Sequence, residues 1–159
     1  MVDKTKSIVV FYSHGGNTAA VAHKIAQVLQ CDEIRIEVPK SRQGFFGFFR
    51  LIKDGIKNRS TPIIIPEKNW TEYKTVVIGS PIWGGTYAAP IHTLLTQQLK
   101  GCSNYAIFST GLGDHAPFIA AHMTGIMNNP PIAELHIQKK NLKNAGWEQK
   151  LDEFLKSLP

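Results

Sequence analysis

Cysteine is scarce in this sequence. Only two cysteines, Cys31 and Cys102, occur among its 159 residues, and their spacing matches no metal-binding or redox motif. We therefore expect two free thiols in a cytoplasmic protein, because cytoplasmic proteins keep their cysteines reduced. Hydrophobic residues make up 43% of the chain and charged residues 19%, which is typical of a globular protein. The length predicts a single domain that covers residues 1–159.

Long apolar runs are also missing. The longest of them are far shorter than the roughly 20 residues that a membrane-spanning helix needs, so we expect no transmembrane segment. The first residues, Met-Val-Asp-Lys-Thr-Lys, are followed by a strand-like run and resemble no secretory signal.

Acidic residues are outnumbered, with 12 Asp and Glu against 18 Lys and Arg and a net charge of +6. Residues 40–59 contain six of these cations and only one acid, Asp54, so this segment accounts for most of the net charge. A nucleic-acid-binding protein would be expected to have a broader basic surface and a recognition motif. We therefore expect no nucleic-acid partner.

Several catalytic motifs are absent. The sequence contains no Cys-x5-Arg loop, no His-Glu-x-x-His pair, no Gly-x-Ser-x-Gly elbow and no Walker loop, and its six histidines are scattered. No catalytic side chain or metal site is predicted, so a bound cofactor is expected to supply the chemistry.

The apolar runs that are present predict a parallel sheet. Residues 7–12, 75–80 and 105–110 form uninterrupted β-rich runs, which is typical of strands that are buried on both faces. Residues 34–38 and 133–138 alternate apolar and polar side chains, as strands at a sheet edge do. With helical stripes between them, these strands predict an α/β/α sandwich, with five parallel strands in the order 2-1-3-4-5.

In that order, ligands bind after the first and third strands, where the strand order reverses. The loop after the first strand leads into a helix and contains two glycines, so its backbone N–H groups could form a phosphate-binding nest. The alternative is a glycine turn before a capped helix, with no ligand. The residues of this loop are Ser13, His14, Gly15, Gly16, Asn17 and Thr18.

The loop after the third strand combines two aromatic residues with a Gly-Gly pair. Trp83 or Tyr87 could stack on a flat heteroaromatic ring while bare amides bond its edge, although a loop tryptophan can also serve only for packing. The candidate residues are Ser80, Pro81, Ile82, Trp83, Gly84, Gly85 and Tyr87.

The loop after the fourth strand matches the dinucleotide pattern Gly-x-Gly-x-x-Ala. That fingerprint belongs after the first strand of its unit, so we interpret this loop as a third wall of the same pocket. Its candidate residues are Thr110, Gly111, Gly113 and Asp114.

The chain resembles the flavodoxin family over nearly its whole length, and these loops carry the resemblance. Residues 13–18 resemble its phosphate signature Thr/Ser-x-Thr-Gly-x-Thr, and residues 80–85 (Ser-Pro-Ile-Trp-Gly-Gly) resemble the flavin loop of short flavodoxin-like proteins. Residues 44–50 (Gly-Phe-Phe-Gly-Phe-Phe-Arg) resemble the same bacterial subgroup. The resemblance implies non-covalent FMN, with its phosphate at residues 13–18 and its isoalloxazine between residues 80–87 and 110–115. It also implies electron transfer between a reductase and a redox partner protein.

Two departures from the family modify these expectations. Gly15 stands where the family has threonine, so one phosphate hydrogen bond is lost and FMN should bind more weakly, by about 1 kcal/mol. Familiar carrier flavodoxins are acidic, whereas this chain has a pI near 9.4, so different partners and a less negative potential are expected.

Two alternative functions stay open. The first is an FMN-dependent oxidoreductase, of the NAD(P)H:quinone reductase or protoporphyrinogen oxidase type, which turnover by the purified protein would reveal. The second is a binding module that has lost its flavin, which a visible absorption spectrum would distinguish.

The basic segment, residues 40–59, also has two interpretations. Phe45, Phe48, Phe49, Ile52 and Ile56 share one face of a predicted helix, and Phe46, Arg50, Lys53 and Lys57 share the other. The apolar face could pack on the sheet while the cations are merely solvated. Alternatively, the segment is a face that docks a partner or a membrane surface.

Overall fold

Five parallel strands form the central sheet of a computed structural model, which describes residues 6–114 and 116–159. A sixth, short strand, β4, pairs antiparallel with β3. The strands are β1 (Ser7–Phe11), β2 (Asp32–Arg35), β3 (Thr75–Trp83), β4 (Thr86–Tyr87), β5 (Tyr105–Gly111) and β6 (Glu134–Gln138). The sheet order is β2-β1-β3-β5-β6. Counted over the parallel strands alone, this is the predicted order 2-1-3-4-5, which is thereby confirmed.

Helices cover both faces of this sheet. The helices are α1 (Asn17–Leu29), α2 (Gly44–Ile56), α3 (Ala89–Thr93), α4 (Ile119–Met127) and α5 (Glu148–Lys156). The helices α1 and α5 pack on one face, whereas α2, α3 and α4 pack on the other. The helix α3 continues as a π-helical turn over Leu94–Gln98, so the helix expected from Pro90 onward is present but changes its winding.

The central strands are apolar throughout because both of their faces are covered. In β1, Ile8 and Val10 belong to one core cluster, whereas Val9 and Phe11 belong to the other. The edge strand β2 is shorter and earlier than the predicted segment 34–38. Pairing with β1 nevertheless continues beyond β2, because the Ile36 N–H donates a hydrogen bond to the Phe11 carbonyl at 2.7 Å.

The orientation of α2 differs from the first interpretation of its sequence. The helix packs inward through Gly47, Leu51 and Gly55, whereas Phe45 and Phe49 are 71% and 53% exposed. The cause is close approach between backbones. A Cβ atom at Gly47 would lie 2.4 Å from the carbonyl carbon of Arg42, and one at Gly55 would lie 3.3 Å from the Tyr87 carbonyl oxygen. The expectation that the phenylalanine-rich face packs on the sheet is therefore wrong for Phe45, Phe49 and Ile56.

Three further features concern the cysteines, the helix lengths and the metal-binding side chains. Cys31 and Cys102 are both free thiols. Within residues 6–114 and 116–159, no helix combines the length and hydropathy that crossing a bilayer requires. In the same described ranges, no group of His, Cys, Asp and Glu side chains could hold a metal ion.

Candidate functional site

A cavity of about 270 Å³ opens at the carboxyl edge of the sheet, where the strand order reverses between β1 and β3. The loop after β1, the end of β3 and the end of β5 form its walls. The lining residues are Ser13, His14, Gly15, Asn17, Thr18, Pro81, Ile82, Trp83, Thr110, Gly111, Leu112 and Lys139.

The floor of the cavity is the N-terminus of α1. Gly16 precedes the helix with φ +92°, a left-handed conformation that glycine adopts without strain. The buried Ser13 hydroxyl oxygen accepts hydrogen bonds from the N–H groups of Gly16 and Ala19, both at 3.2 Å. Within the described chain, no acceptor is recorded for the N–H groups of Asn17 and Thr18. The loop is thus a capped helix start that still offers amides to an anion.

Replacing Ser13 with alanine should destabilise the fold. The two amides that its hydroxyl satisfies would lose their partner, which costs about 1 kcal/mol for a helix cap. Urea denaturation should show a lower midpoint with an unchanged slope. A variant as stable as the wild type would mean that the cap contributes nothing.

Two further contacts hold this loop in place. The Thr18 and Thr110 hydroxyls form a buried hydrogen bond of 2.8 Å, which joins the start of α1 to the end of β5. Arg35, at the end of β2, donates from Nη2 to the Ser13 carbonyl at 2.7 Å. A cation therefore stands behind the loop, although the loop sequence itself contains none.

An aromatic cluster borders the cavity, which Trp83 and His14 of this cluster line. The Trp83 ring meets the rings of Tyr12, Phe48 and His14 edge-on, with centroid distances of 5.9, 5.0 and 6.2 Å. His14 stacks on Phe48 at 4.1 Å with an interplanar angle of 18°. Trp83 is thus fixed by three neighbours while it lines the cavity, and His14 has a packing partner.

The Gly-Gly pair forms a hairpin turn. Gly84 and Gly85 have φ +60° and +78° and form the two-residue turn of the β3–β4 hairpin, in which Trp83 pairs with Thr86. Consecutive positive φ values are what the tight hairpin turn requires. Neither glycine lines the cavity. The pair reverses the chain beside the cavity, and a contact of its amides with a ligand stays a prediction.

Tyr87 is not available for stacking. Tyr87 is 1% exposed. The centroid of its ring lies 6.3 Å from that of His92 and 5.1 Å from that of His122. Burial raises the pKa of the Tyr87 hydroxyl and lowers the pKa of His92, so both groups stay neutral near pH 7. The hairpin turns Tyr87 inward to the core, which leaves Trp83 as the aromatic wall.

The third loop is fastened to the edge strand β6. The Nδ1 atom of His136 forms a hydrogen bond of 2.7 Å with the Ser109 hydroxyl. The Nε2 atom of the same ring donates to the Gly113 carbonyl at 3.0 Å. Gln138 Nε2 donates to the Leu112 carbonyl at 3.0 Å. These bonds shape the rim, so Gly113 contributes to the site through its carbonyl contact and does not line the cavity. Residue 115, the end of the predicted third loop, lies outside the described residues.

The structure therefore brings most of the predicted side chains together and leaves some outside the lining. Ser80 is one of these because its hydroxyl oxygen accepts from the Ala88 N–H at 2.9 Å and so supports the hairpin. The predicted residues that do not line the cavity are Gly16, Ser80, Gly84, Gly85, Tyr87, Gly113 and Asp114.

Two cations escaped the sequence analysis: Arg35 and Lys139. Leu112 belongs to the predicted loop 110–115, although it was not named as a site residue. Arg35 ends β2 and Lys139 directly follows β6, so both stand at the carboxyl edge where ligands bind. That position was the available signal. Both cations are nevertheless remote in sequence from the first loop.

No model of a known protein family and no curated protein sequence matches the chain. Solved structures do match it in fold. A flavoprotein from Lactobacillus acidophilus NCFM, in complex with FMN, is 22% identical with a TM-score of 0.74 over 94% of this chain and 98% of that one. Oxidised Flavodoxin 2 from Bacillus cereus is 15% identical with a TM-score of 0.59 over 97% of each chain. A flavodoxin from the domain Archaea is 18% identical with a TM-score of 0.55 over 96% of this chain and 93% of that one. The chain therefore has the flavodoxin-like fold.

Proposed function

We propose that the protein binds FMN non-covalently and carries electrons between a reductase and a redox partner. The observation that carries this proposal is the meeting of helix amides, which have no acceptor among residues 6–114 and 116–159, with the Trp83 indole in one cavity at the switch point of the sheet. The similar flavoprotein from Lactobacillus acidophilus is a complex with FMN, and other neighbours are flavodoxins, which supports this choice of ligand.

The N-terminus of α1 suits a phosphate group. The N–H groups of Asn17 and Thr18 belong to the first turn of α1, where the helix dipole adds a partial positive charge. Arg35 strengthens the positive potential by holding the Ser13 carbonyl from behind. Amides would therefore bind the phosphate while the guanidinium acts at a distance.

The other end of the cavity suits a flat ring. Trp83 supplies an aromatic surface, Ile82 and Leu112 supply apolar contacts, and Gly111 leaves its backbone accessible. FMN would supply reversible electron transfer in its ring system, while these residues bind and orient it. The cavity is slightly smaller than the roughly 300 Å³ at the lower end for ligand sites, so the ring would extend past the rim. An accessible ring edge suits exchange with a protein partner.

The described lining contains no carboxylate and no thiol. Its titratable side chains are His14, which stacks on Phe48, and the exposed Lys139. A carrier needs no side-chain acid or base, because the electrons pass through the cofactor. We place this carrier in a bacterial cytoplasm, where Cys31 and Cys102 would remain thiols.

Parallel titrations with FMN and riboflavin test this site. The two ligands share the ring and differ in the phosphate, so FMN should bind at least tenfold more tightly through its charge-assisted hydrogen bonds. Quenching of flavin fluorescence gives both dissociation constants. Equal affinity for both ligands would contradict the phosphate assignment, and no binding of either would contradict the proposed cofactor.

The carrier role is tested separately from FMN binding. The FMN-loaded protein should accept electrons from a flavodoxin reductase and pass them to an acceptor protein. Without that reductase, we expect negligible oxidation of NADPH or NADH with a quinone, measured by absorbance of the nicotinamide. Sustained turnover by the purified protein alone would identify an enzyme instead.

A further inference from the structure

The outer surface of α2 combines large apolar side chains with cations. Phe45, Phe46, Phe49 and Ile56 are 71%, 81%, 53% and 53% exposed. A surface helix normally turns such residues to the core, whereas α2 packs inward mainly through glycine and leucine. We call this surface the α2 outer face. It consists of Phe45, Phe46, Phe49, Arg50, Lys53, Ile56 and Lys57.

The outer face is organised as two adjacent stripes. Phe45, Phe49 and Ile56 lie four and seven residues apart, which places them along one line of the helix. Arg50, Lys53 and Lys57 occupy the next line, at spacings of three and four. A helix of 13 residues is about 20 Å long, so an apolar stripe and a cationic stripe run side by side over that length.

The phenylalanine rings already form a cluster. Phe45 lies 4.9 Å from Phe49 and 5.5 Å from Phe46 between ring centroids, and Phe49 lies 6.1 Å from Phe48. Phe48 in turn meets Trp83, which lines the cavity. The outer face is thus a preformed surface that continues to the edge of the candidate site.

The charges on this surface exclude one occupant and favour another. Asp54 is the single acid of α2 and bonds Arg42 at 2.8 Å, so it does not pair with the cations of the outer face. A second copy of the chain would bring two cationic stripes together, which is unfavourable. The complementary occupant is therefore negatively charged and also accepts apolar side chains.

We propose that the α2 outer face binds an anionic lipid surface. Helices that lie in a membrane interface combine aromatic side chains, which insert between acyl chains, with adjacent Lys and Arg, which contact headgroups. Phe45 and Phe46 are adjacent and largely exposed, which suits a fluid surface that adapts to them better than the fixed pockets of a protein partner. Binding would hold the mouth of the cavity near the membrane, since Phe48 joins both. This proposal does not depend on the identity of the cofactor.

Vesicle sedimentation with the full chain tests the proposal. The protein should pellet with vesicles that contain about 30% phosphatidylglycerol in phosphatidylcholine and remain in the supernatant with phosphatidylcholine alone, because the cations need anionic headgroups. Raising the salt to about 0.5 M should weaken binding by screening. The combined variant F45S/F46S/F49S and the combined variant R50Q/K53Q/K57Q should each lower the partition coefficient at least tenfold.

Matched variants separate this face from general hydrophobicity and charge. Phe118 is 75% exposed at the start of α4, so F118S removes an exposed phenylalanine elsewhere. The variant K140Q/K143Q/K150Q removes three exposed cations near the C-terminus. Both controls should bind vesicles within about threefold of the wild type. Each Lys that lies near a lipid surface contributes about fivefold, so a smaller change shows that the control residues do not contact the surface. Circular dichroism verifies that every variant folds.

Two results would overturn the proposal. One is that the wild-type protein stays in the supernatant with anionic vesicles. If the outer-face variants then also impair electron exchange with an acidic carrier protein, the face binds a protein and not a membrane. The other is equal loss of vesicle binding in the outer-face variants and in their controls.

Discussion

Replacing Gly15 with aspartate is expected to weaken FMN binding about thirtyfold, or about 2 kcal/mol, by placing a carboxylate beside the phosphate. A Cβ atom at Gly15 would meet no atom within 4 Å, and its φ lies outside the left-handed region. The substitution therefore adds a charge without a clash or backbone strain. Gly16 would be a poorer choice, because its φ of +92° makes any side chain costly. Fluorescence titration of the purified variants measures the change.

Two further substitutions at Gly15 isolate the charge. Asparagine has almost the same shape as aspartate and no charge, so G15N should bind FMN within about threefold of the wild type. Threonine restores the hydroxyl of the flavodoxin signature and should tighten binding about fivefold, the value of one hydrogen bond. Riboflavin affinity should stay constant in all three variants. Equal weakening by aspartate and asparagine would show that size matters there and that the phosphate lies elsewhere.

Replacing Gly79 with alanine is expected to destabilise the fold by about 3 kcal/mol. Gly79 lies in the buried strand β3, where an added Cβ would stand 2.0 Å from Cζ of Phe108 on the neighbouring strand β5. Phe108 is itself 1% exposed, so its ring has little space to withdraw. Overpacking of this kind forces side chains away from their preferred rotamers. Chemical denaturation measures the free energy of unfolding.

A double variant and a control make this prediction specific. Replacing the Phe108 ring with the smaller leucine side chain should recover part of the free energy of unfolding that G79A loses. The effects of G79A and F108L should therefore not be additive. Gly125 lies in α4, and a Cβ there would meet no atom within 4 Å. The variant G125A should therefore gain about 0.5–1 kcal/mol through helix propensity. Additive effects of G79A and F108L would show that the two residues do not interact as described.

The strand order could be predicted because burial leaves a direct mark on the sequence. A strand that is covered on both faces must be apolar at every position, as in residues 8–11, whereas the edge strands alternate. Strand order then determines where loops meet. For the same reason the first loop, Trp83 and Thr110 were expected near one another, and the structure brings them to one cavity.

What could not be predicted depends on backbone proximity. The pattern of large apolar residues suggested the wrong inner face of α2, since Gly47 and Gly55 pack by allowing close approach and not by burying side-chain area. The Gly84–Gly85 pair likewise looked like accessible amides, but its positive φ values make a hairpin. Arg35 and Lys139 are remote in sequence from the first loop, and only the sheet order brings them close.

The hydrogen bond between Thr18 and Thr110 links two walls of the cavity through a single pair of hydroxyl groups. An anion that orders the first turn of α1 would thereby also restrain the strand end that faces the ring. The two halves of a nucleotide ligand would then help each other to bind, so the whole would be held more tightly than its separate fragments suggest. Loosening this bond would uncouple the fragments while leaving each of their own contacts in place.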